Sequence, residues 1–213
     1  MELPIIYKEG AYIMKEKIDR IRRAIVRGII LAYCKVVYRL KVVGRENIPK
    51  SGAIIFCGNH KSLLDAPLME ITCKRDDNRF LAKEELAKNP FMAHLGKLFN
   101  VILVKRNDKD LGPMKESLKT LKQGGCIMLF PEGTRNGMKK GLKPKTGVAY
   151  FALNSDATVI PVGIKGGEKL FKKATITYGK PLDLEEYKPN KKDKETAELA
   201  TIKIMDSIIE LTK

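Results

Sequence analysis

Tryptophan is absent from the 213 residues, histidine occurs only twice, and aromatic residues make up 7%. A nucleic-acid-binding module, the reading a basic chain first invites, stacks bases on aromatic platforms, and that chemistry is scarce here. The four cysteines, Cys34, Cys57, Cys73 and Cys126, form no CxxC pair and stand beside no histidine cluster, so the usual zinc and redox motifs are missing and a reducing compartment fits. No uninterrupted apolar run of about 20 residues is present either. The most hydrophobic long segment, Ile18–Leu40, is broken by Arg20, Arg22, Arg23, Arg27, Lys35 and Arg39 and is not expected to span a bilayer. Glu2, Lys8, Glu9 and Lys15 break the first fifteen residues, which do not read as a cleaved secretory leader. Also missing are GxxxxGK[ST], a GxGxxG after a strand, HExxH and GxSxG, which removes support for nucleotide hydrolysis, dinucleotide redox chemistry, zinc proteolysis and the common serine hydrolase layout.

What is present describes one globular domain with a real core: 44% hydrophobic and 31% charged residues over a length that suits a single unit. Forty-one Lys and Arg against 25 Asp and Glu leave a net charge of +16. Such a field draws anionic partners, whether nucleic acid, acidic lipid surfaces or phosphorylated and CoA-like molecules. At 3.6 residues per turn, Ile18, Ile21, Ile25, Ile29, Ala32 and Val36 share one helical face while Arg20, Arg23 and Arg27 lie opposite. An apolar stripe with a basic back suits a helix lying on an anionic membrane, its arginines reaching to phosphates; an ordinary core-facing helix has the same periodicity.

From Leu40 onward, short apolar runs alternate with longer helical patterns. Strands are expected at Lys41–Val43, Ala53–Cys57, Arg79–Ala82, Val101–Val104, Cys126–Phe130, Thr158–Ile164 and Ala174–Tyr178. Helices are expected at Ser62–Cys73, Lys83–Leu98 with a break near Pro90, Gly112–Gln123, Thr146–Asn154 and Lys194–Leu211. Strands separated by helices imply an α/β fold with a mostly parallel central sheet covered on both faces.

Ligands of open α/β sheets collect beyond the carboxyl ends of strands, which directs attention to the loops after Cys57, Val104, Phe130 and Ile164. The first reads Gly58-Asn59-His60-Lys61-Ser62-Leu63-Leu64-Asp65. On one continuous helix His60 and Asp65 would sit roughly 140° apart, so they meet only if His60 precedes the helix and Asp65 opens it. Ser62 as an N-cap allows that, and the pair then forms an acid–base dyad in which the carboxylate fixes the ring tautomer. A plain capping box beside a loop histidine is the alternative. Lys83 and Arg106 close two other strands as a point charge and a two-pronged fork for phosphate. The loop Pro131-Glu132-Gly133-Thr134-Arg135-Asn136-Gly137 offers a carboxylate, a glycine permitting close backbone approach, a hydroxyl and a second fork. Pro161 is expected at a sheet edge or a bulge.

Asn59-His60-x-Ser62-x-x-Asp65, Val104-Lys105-Arg106, Phe130-Pro131-Glu132-Gly133-Thr134-Arg135 and Val159-Ile160-Pro161-Val162 together resemble, in order and spacing, the glycerolphosphate acyltransferase superfamily, and within it the bacterial 1-acylglycerol-3-phosphate acyltransferases. The likeness spans about Leu40–Leu184, and NHxSxxD followed by FPEGTR roughly 70 residues later is highly specific. It implies His60 as base and Asp65 as its partner, with Arg106, Glu132, Gly133, Thr134 and Arg135 on the glycerol phosphate, Lys83 on its phosphate and Pro161 on the acyl-donor side. The implied reaction moves a fatty acyl group from acyl-CoA or acyl-carrier protein to the sn-2 hydroxyl of 1-acylglycerol-3-phosphate (lysophosphatidic acid), giving phosphatidic acid, with no cofactor or metal. Glycerol-3-phosphate or another lysophospholipid is the rival acceptor. Because the N-terminal helices of relatives sit in the membrane surface, the resemblance implies a membrane-associating segment over 1–40, an α/β acyltransferase domain over 41–213, and a peripheral or monotopic place on the cytoplasmic face of the cell membrane. Asn100 replaces a common glycine and is expected to keep a left-handed turn; Asn136 replaces a common serine.

Overall fold

The computed structural model describes residues 5–105 and 111–213, with the side chains of the first helix described from Met14 onward. Seven strands, β1 (Lys41–Val43), β2 (Ile54–Gly58), β3 (Asn78–Lys83), β4 (Ile102–Val104), β5 (Cys126–Leu129), β6 (Thr158–Lys165) and β7 (Thr175–Tyr178), form one sheet in the order β1-β7-β6-β2-β5-β3-β4. All neighbours are parallel except β6 and β7. The helices are α1 (Ile5–Val37), α2 (Asp65–Thr72), α3 (Pro90–Leu98), α4 (Gly112–Lys122), α5 (Gly147–Leu153) and α6 (Lys194–Glu210). The expected mixed α/β architecture with a mostly parallel sheet is therefore what the chain adopts.

β2 is central because Ile54, Ile55, Phe56 and Cys57 are apolar on both sides, as a strand covered on both faces requires. Ile54 and Phe56 join Ile160, Val162 and Met128 in a core closed by Leu68 and Met69 of α2 and Cys34 of α1. Ile55 and Cys57 point the other way, into a core completed by Leu121 of α4, Phe151 of α5 and Ile204 of α6. The two layers match the alternation of the strands and hold β2, β5 and β6 in one register.

Three expectations need correction. Ser62 does not cap α2, which starts at Asp65 with Leu64 at the N-cap; instead the Ser62 hydroxyl accepts from the Leu64 N–H at 3.1 Å, because the Asp65 carboxylate draws the preceding loop into a non-helical turn. Pro161 is at no edge: β6 is flanked by β2 and β7. The proline is tolerated because odd residues of β6 face β7, and at 161 only a carbonyl is used there, accepting from Gly179 N–H at 2.8 Å. Third, Arg23 and Arg27 do not reach outward. Arg27 donates to Glu70 of α2, Nε to Oε1 at 3.0 Å, and also pairs with Asp76, while its guanidinium lies over the Phe99 ring at 5.9 Å. Arg23 donates to the Leu98 carbonyl at 3.4 Å. Arg23 and Arg27 thus belong to the inner side of α1, along with Ile30, Leu31, Cys34 and Val37, while Arg20 is exposed and Met14, Ile18, Ile21, Ile25, Ile29 and Val36 are exposed on the outside.

Burial holds the Glu70 carboxyl above the usual carboxylate range, and Arg27 acts against that. Replacing Arg27 with Met removes the lowering influence and leaves a buried acid, a change expected to cost about 3 kcal/mol at neutral pH. A raised folded-state pKa gives stability that is present below the unfolded value and lost as pH rises through the folded one. Limited proteolysis should therefore find α1 of Arg27→Met docked near about pH 5 and loosened near about pH 8, with the wild type protected at both.

Candidate active site

β2 ends on Gly58, where a side chain would strike Met69 Sδ at 2.9 Å and Phe130 Cε1 at 3.2 Å. The missing Cβ lets the Phe130 ring slide beneath the next turn, where it stacks on the His60 imidazole with centroids 4.1 Å apart and planes 5° from parallel. Asn59 replaces one rung of the ladder with its side chain, accepting from Ile164 N–H at 2.7 Å and donating to Ile164 carbonyl at 2.9 Å, which ties the loop to β6.

His60 Nδ1 lies 3.0 Å from Asp65 Oδ2. The same buried carboxylate accepts from Lys61 N–H at 2.5 Å, Ser62 N–H at 2.7 Å and the Ser62 hydroxyl at 3.1 Å. A carboxylate only accepts, so Nδ1 carries the hydrogen and Nε2 keeps its lone pair. The imidazole side chain is 20% exposed, against 1% for Asp65, so the acid is sealed and the base is reachable.

The backbone of His60 is clamped as firmly as its ring. Its N–H donates to Glu132 Oε1 at 2.8 Å, and its carbonyl accepts from Asn136 N–H at 2.6 Å. Glu132 is buried, and its second oxygen accepts from Met138 N–H at 3.1 Å. Both carboxylate oxygens of Glu132, which the resemblance puts on the glycerol phosphate, accept from the protein's own backbone beneath the histidine. Asn100, with φ 52°, keeps the left-handed turn expected of it, and Asn136, with φ 56°, adopts one as well.

Gly133, with φ 62°, is exposed, and Thr134 and Arg135 follow on the loop whose next residue bonds His60. Arg135 is exposed. Arg106 lies outside the described residues. Lys83 ends β3 beside β4; strand alternation assigns it to the face of Arg79, which contacts Glu116 of α4, while Phe80 faces Phe130. Pro161 lies on the sheet face of Cys57, with its ring under Gly179; the structure does not bring it to the face of Phe130 and His60. Sequence reasoning missed Phe130 as a ring platform, although an aromatic just before a glycine-bearing loop was visible. It also missed Lys145, whose stem passes over Gly133, 3.2 Å from where a Cβ would stand.

The thiols are poor nucleophiles. Burial pushes Cys57 and Cys126 far above the ordinary thiol range and Cys73 up to about 12. The site therefore presents a positioned base without a thiolate beside it, an arrangement suited to activating a hydroxyl brought by a substrate.

The Acyltransferase family model matches residues 39–165, and the chain belongs to that family. It is 32% identical over 157 residues to the 1-acyl-sn-glycerol-3-phosphate acyltransferase of Borreliella burgdorferi, covering 73% of this chain and 61% of that protein. It is 27% identical over 148 residues to the protein of the same name from Bacillus subtilis, covering 67% of this chain and 73% of that protein. The crystal structure of the 1-acyl-sn-glycerophosphate (LPA) acyltransferase PlsC from Thermotoga maritima superposes with a TM-score of 0.62 at 27% identity, over 81% of this chain and 70% of that one.

If Glu132 acts by holding the His60 peptide, Glu132→Gln should lower acyl-transfer kcat by about 100-fold with little change in KM, since misplacing a catalytic group by about 1 Å costs that much. Steady-state kinetics checks it. A raised KM at unchanged kcat would place Glu132 on the substrate instead.

Proposed function

We propose that this protein transfers a fatty acyl group from an acyl thioester to the sn-2 hydroxyl of 1-acylglycerol-3-phosphate, forming phosphatidic acid. The observation that carries the reading is the His60–Asp65 pair at 3.0 Å, its ring on Phe130 and its peptide clamped by the loop that carries Arg135. The names of the similar proteins support the acceptor.

In this mechanism His60 Nε2 takes the acceptor hydroxyl proton as its oxygen attacks the thioester carbonyl. Asp65 holds Nδ1–H and balances the imidazolium that forms. Collapse of the tetrahedral adduct breaks the C–S bond, and the proton passes from His60 to the departing thiolate. No acyl-enzyme is required, because the substrate oxygen is the nucleophile. Arg135 and Arg106 are assigned to the phosphate, with Lys145 added by its place over Gly133, whereas Lys83 falls on the face of Arg79, away from His60, and is not given that role. Glu132 is assigned as a positioning residue, while Gly133 and Thr134 shape the phosphate loop. The donor is acyl-CoA or acyl-carrier protein; Pro161, on the sheet face away from His60, is given no direct contact with it.

The exposed apolar stripe of α1 supports attachment to a membrane surface; an anionic bilayer, 1–40 as the associating segment and the cytoplasmic face as the working side are part of the proposal. Among the described residues no helix is long and apolar enough to cross a membrane.

With lysophosphatidic acid and acyl-CoA or acyl-carrier protein, His60→Ala should lose at least about 100-fold in turnover while its thermal unfolding is retained. An acceptor panel including glycerol-3-phosphate and other lysophospholipids should favour lysophosphatidic acid; preference for another acceptor reassigns the substrate. N-Ethylmaleimide at neutral pH should leave activity intact, because the buried thiols stay protonated. Rapid inactivation protected by acyl-CoA would point to a thiol intermediate.

A further inference from the structure

The connection from β6 to β7 reads Gly166-Gly167-Glu168-Lys169-Leu170-Phe171-Lys172-Lys173. A glycine pair in left-handed conformation, φ 76° and 83°, opens it, and a Cβ at Gly166 would stand 2.1 Å from the Lys173 carbonyl, so the base of the loop is pinched shut. The tip is a turn closed by Lys172 N–H donating to the Lys169 carbonyl at 3.3 Å. Its two central residues are Leu170 and Phe171, 58% and 72% exposed, the phenylalanine with φ 60°. Turn centres with positive φ normally carry glycine, asparagine or aspartate, since bulky side chains rarely adopt left-handed backbone. Two large apolar side chains bracketed by three lysines are a different object, a hydrophobic tip in a cationic collar.

We propose that this loop is a second membrane-docking element, which inserts Leu170 and Phe171 into the interface of an anionic bilayer beside the mouth of the active site. It deepens the membrane reading above and rests on it. The occupant follows from charge and position. Lys169, Lys172 and Lys173 outnumber Glu168, and long lysine stems lie along apolar surface while their amines reach lipid phosphates. The loop is tied to the end of α1: Arg39 donates to the Phe171 carbonyl at 3.5 Å and Ala174 N–H to the Tyr38 carbonyl at 2.9 Å, next to the exposed Tyr33 and Val36. It is also tied to the catalytic loop, with Lys61 Nζ 4.0 Å from Glu168 Oε1, one residue from His60. A lipid acceptor leaving the bilayer at this tip would start its path next to the base.

The chain has no tryptophan, so Phe171→Trp gives a single indole reporter without a background. With vesicles of phosphatidylcholine containing about one third phosphatidylglycerol, its emission should shift to the blue and be quenched by lipids brominated on their chains, and pure phosphatidylcholine should do neither. Phe171→Asp should weaken cosedimentation with the anionic vesicles at least tenfold, while Ile202→Ser on the exposed side of α6 leaves it unchanged. Both variants change exposed side chains, and their unfolding temperatures should match the wild type. Cosedimentation with indole emission as in buffer overturns the tip and leaves α1 as the docking element. Equal insertion into neutral vesicles overturns the role of the lysines. Failure of the protein to cosediment overturns membrane docking altogether. Acyl transfer to lysophosphatidic acid in detergent micelles reports the catalytic reading independently of all three.

Discussion

A single imidazole is held by two buried carboxylates, and the parallel pairing of β2 and β5 is what brings both to it. Asp65 takes the ring and Glu132 takes the peptide behind it. Burying an acid is costly unless its lone pairs are filled, and here the donors come from the loops themselves: beside the ring and N–H of His60, the N–H groups of Lys61, Ser62 and Met138 and the Ser62 hydroxyl. The two loops can share one histidine only because β2 and β5 are parallel neighbours ending on the same side, with Cys57 opposite Leu129. An antiparallel pairing would send one loop to the far end of the sheet.

Each strand was legible because its apolar run is short and bounded by turn residues, and all seven lie within a residue or two of where the pattern puts them. The order β1-β7-β6-β2-β5-β3-β4 was not, since hydrophobic periodicity states which residues are buried and not which strand lies beside them. The misplacement of Pro161 follows from this gap: a proline argues for an edge until one knows that its empty position faces a segment supplying only Gly179 N–H. His60 and Asp65 were readable as a pair because they are five residues apart and a local turn decides the matter. Glu132 was readable as a site residue, but its bond to His60 crosses 72 positions, and nothing local announces it. Asn59 is similar, its rung to Ile164 spanning 105 positions.

The first helix marks the same boundary between pattern and placement. Periodicity correctly put the isoleucines on one side and Arg23 and Arg27 on the other, but it carries no sign telling which side meets the protein. The sign is given by Glu70 and Asp76, acids on and after α2 that accept Arg27.

That inversion has an energetic logic. An ion pair taken from water contributes little net stability, and an apolar inner face would hold the helix as well or better. The C-terminal turns of α1 do bury Ile30, Leu31, Cys34 and Val37, and an apolar residue at 27 as well would leave the middle of the helix without a charged side to set which way it faces. Arg27 sets that direction, because rotating an isoleucine inward would strand Glu70, which burial already penalises, without a counter-charge. The pair therefore contributes orientation more than stability: it fixes the outward direction of Ile18, Ile21, Ile25 and Ile29, and on the proposed reading that direction is toward the lipid. The same helix links that orientation to the candidate site, since α2, which carries the acceptor Glu70, begins at Asp65, the residue that holds the His60 ring.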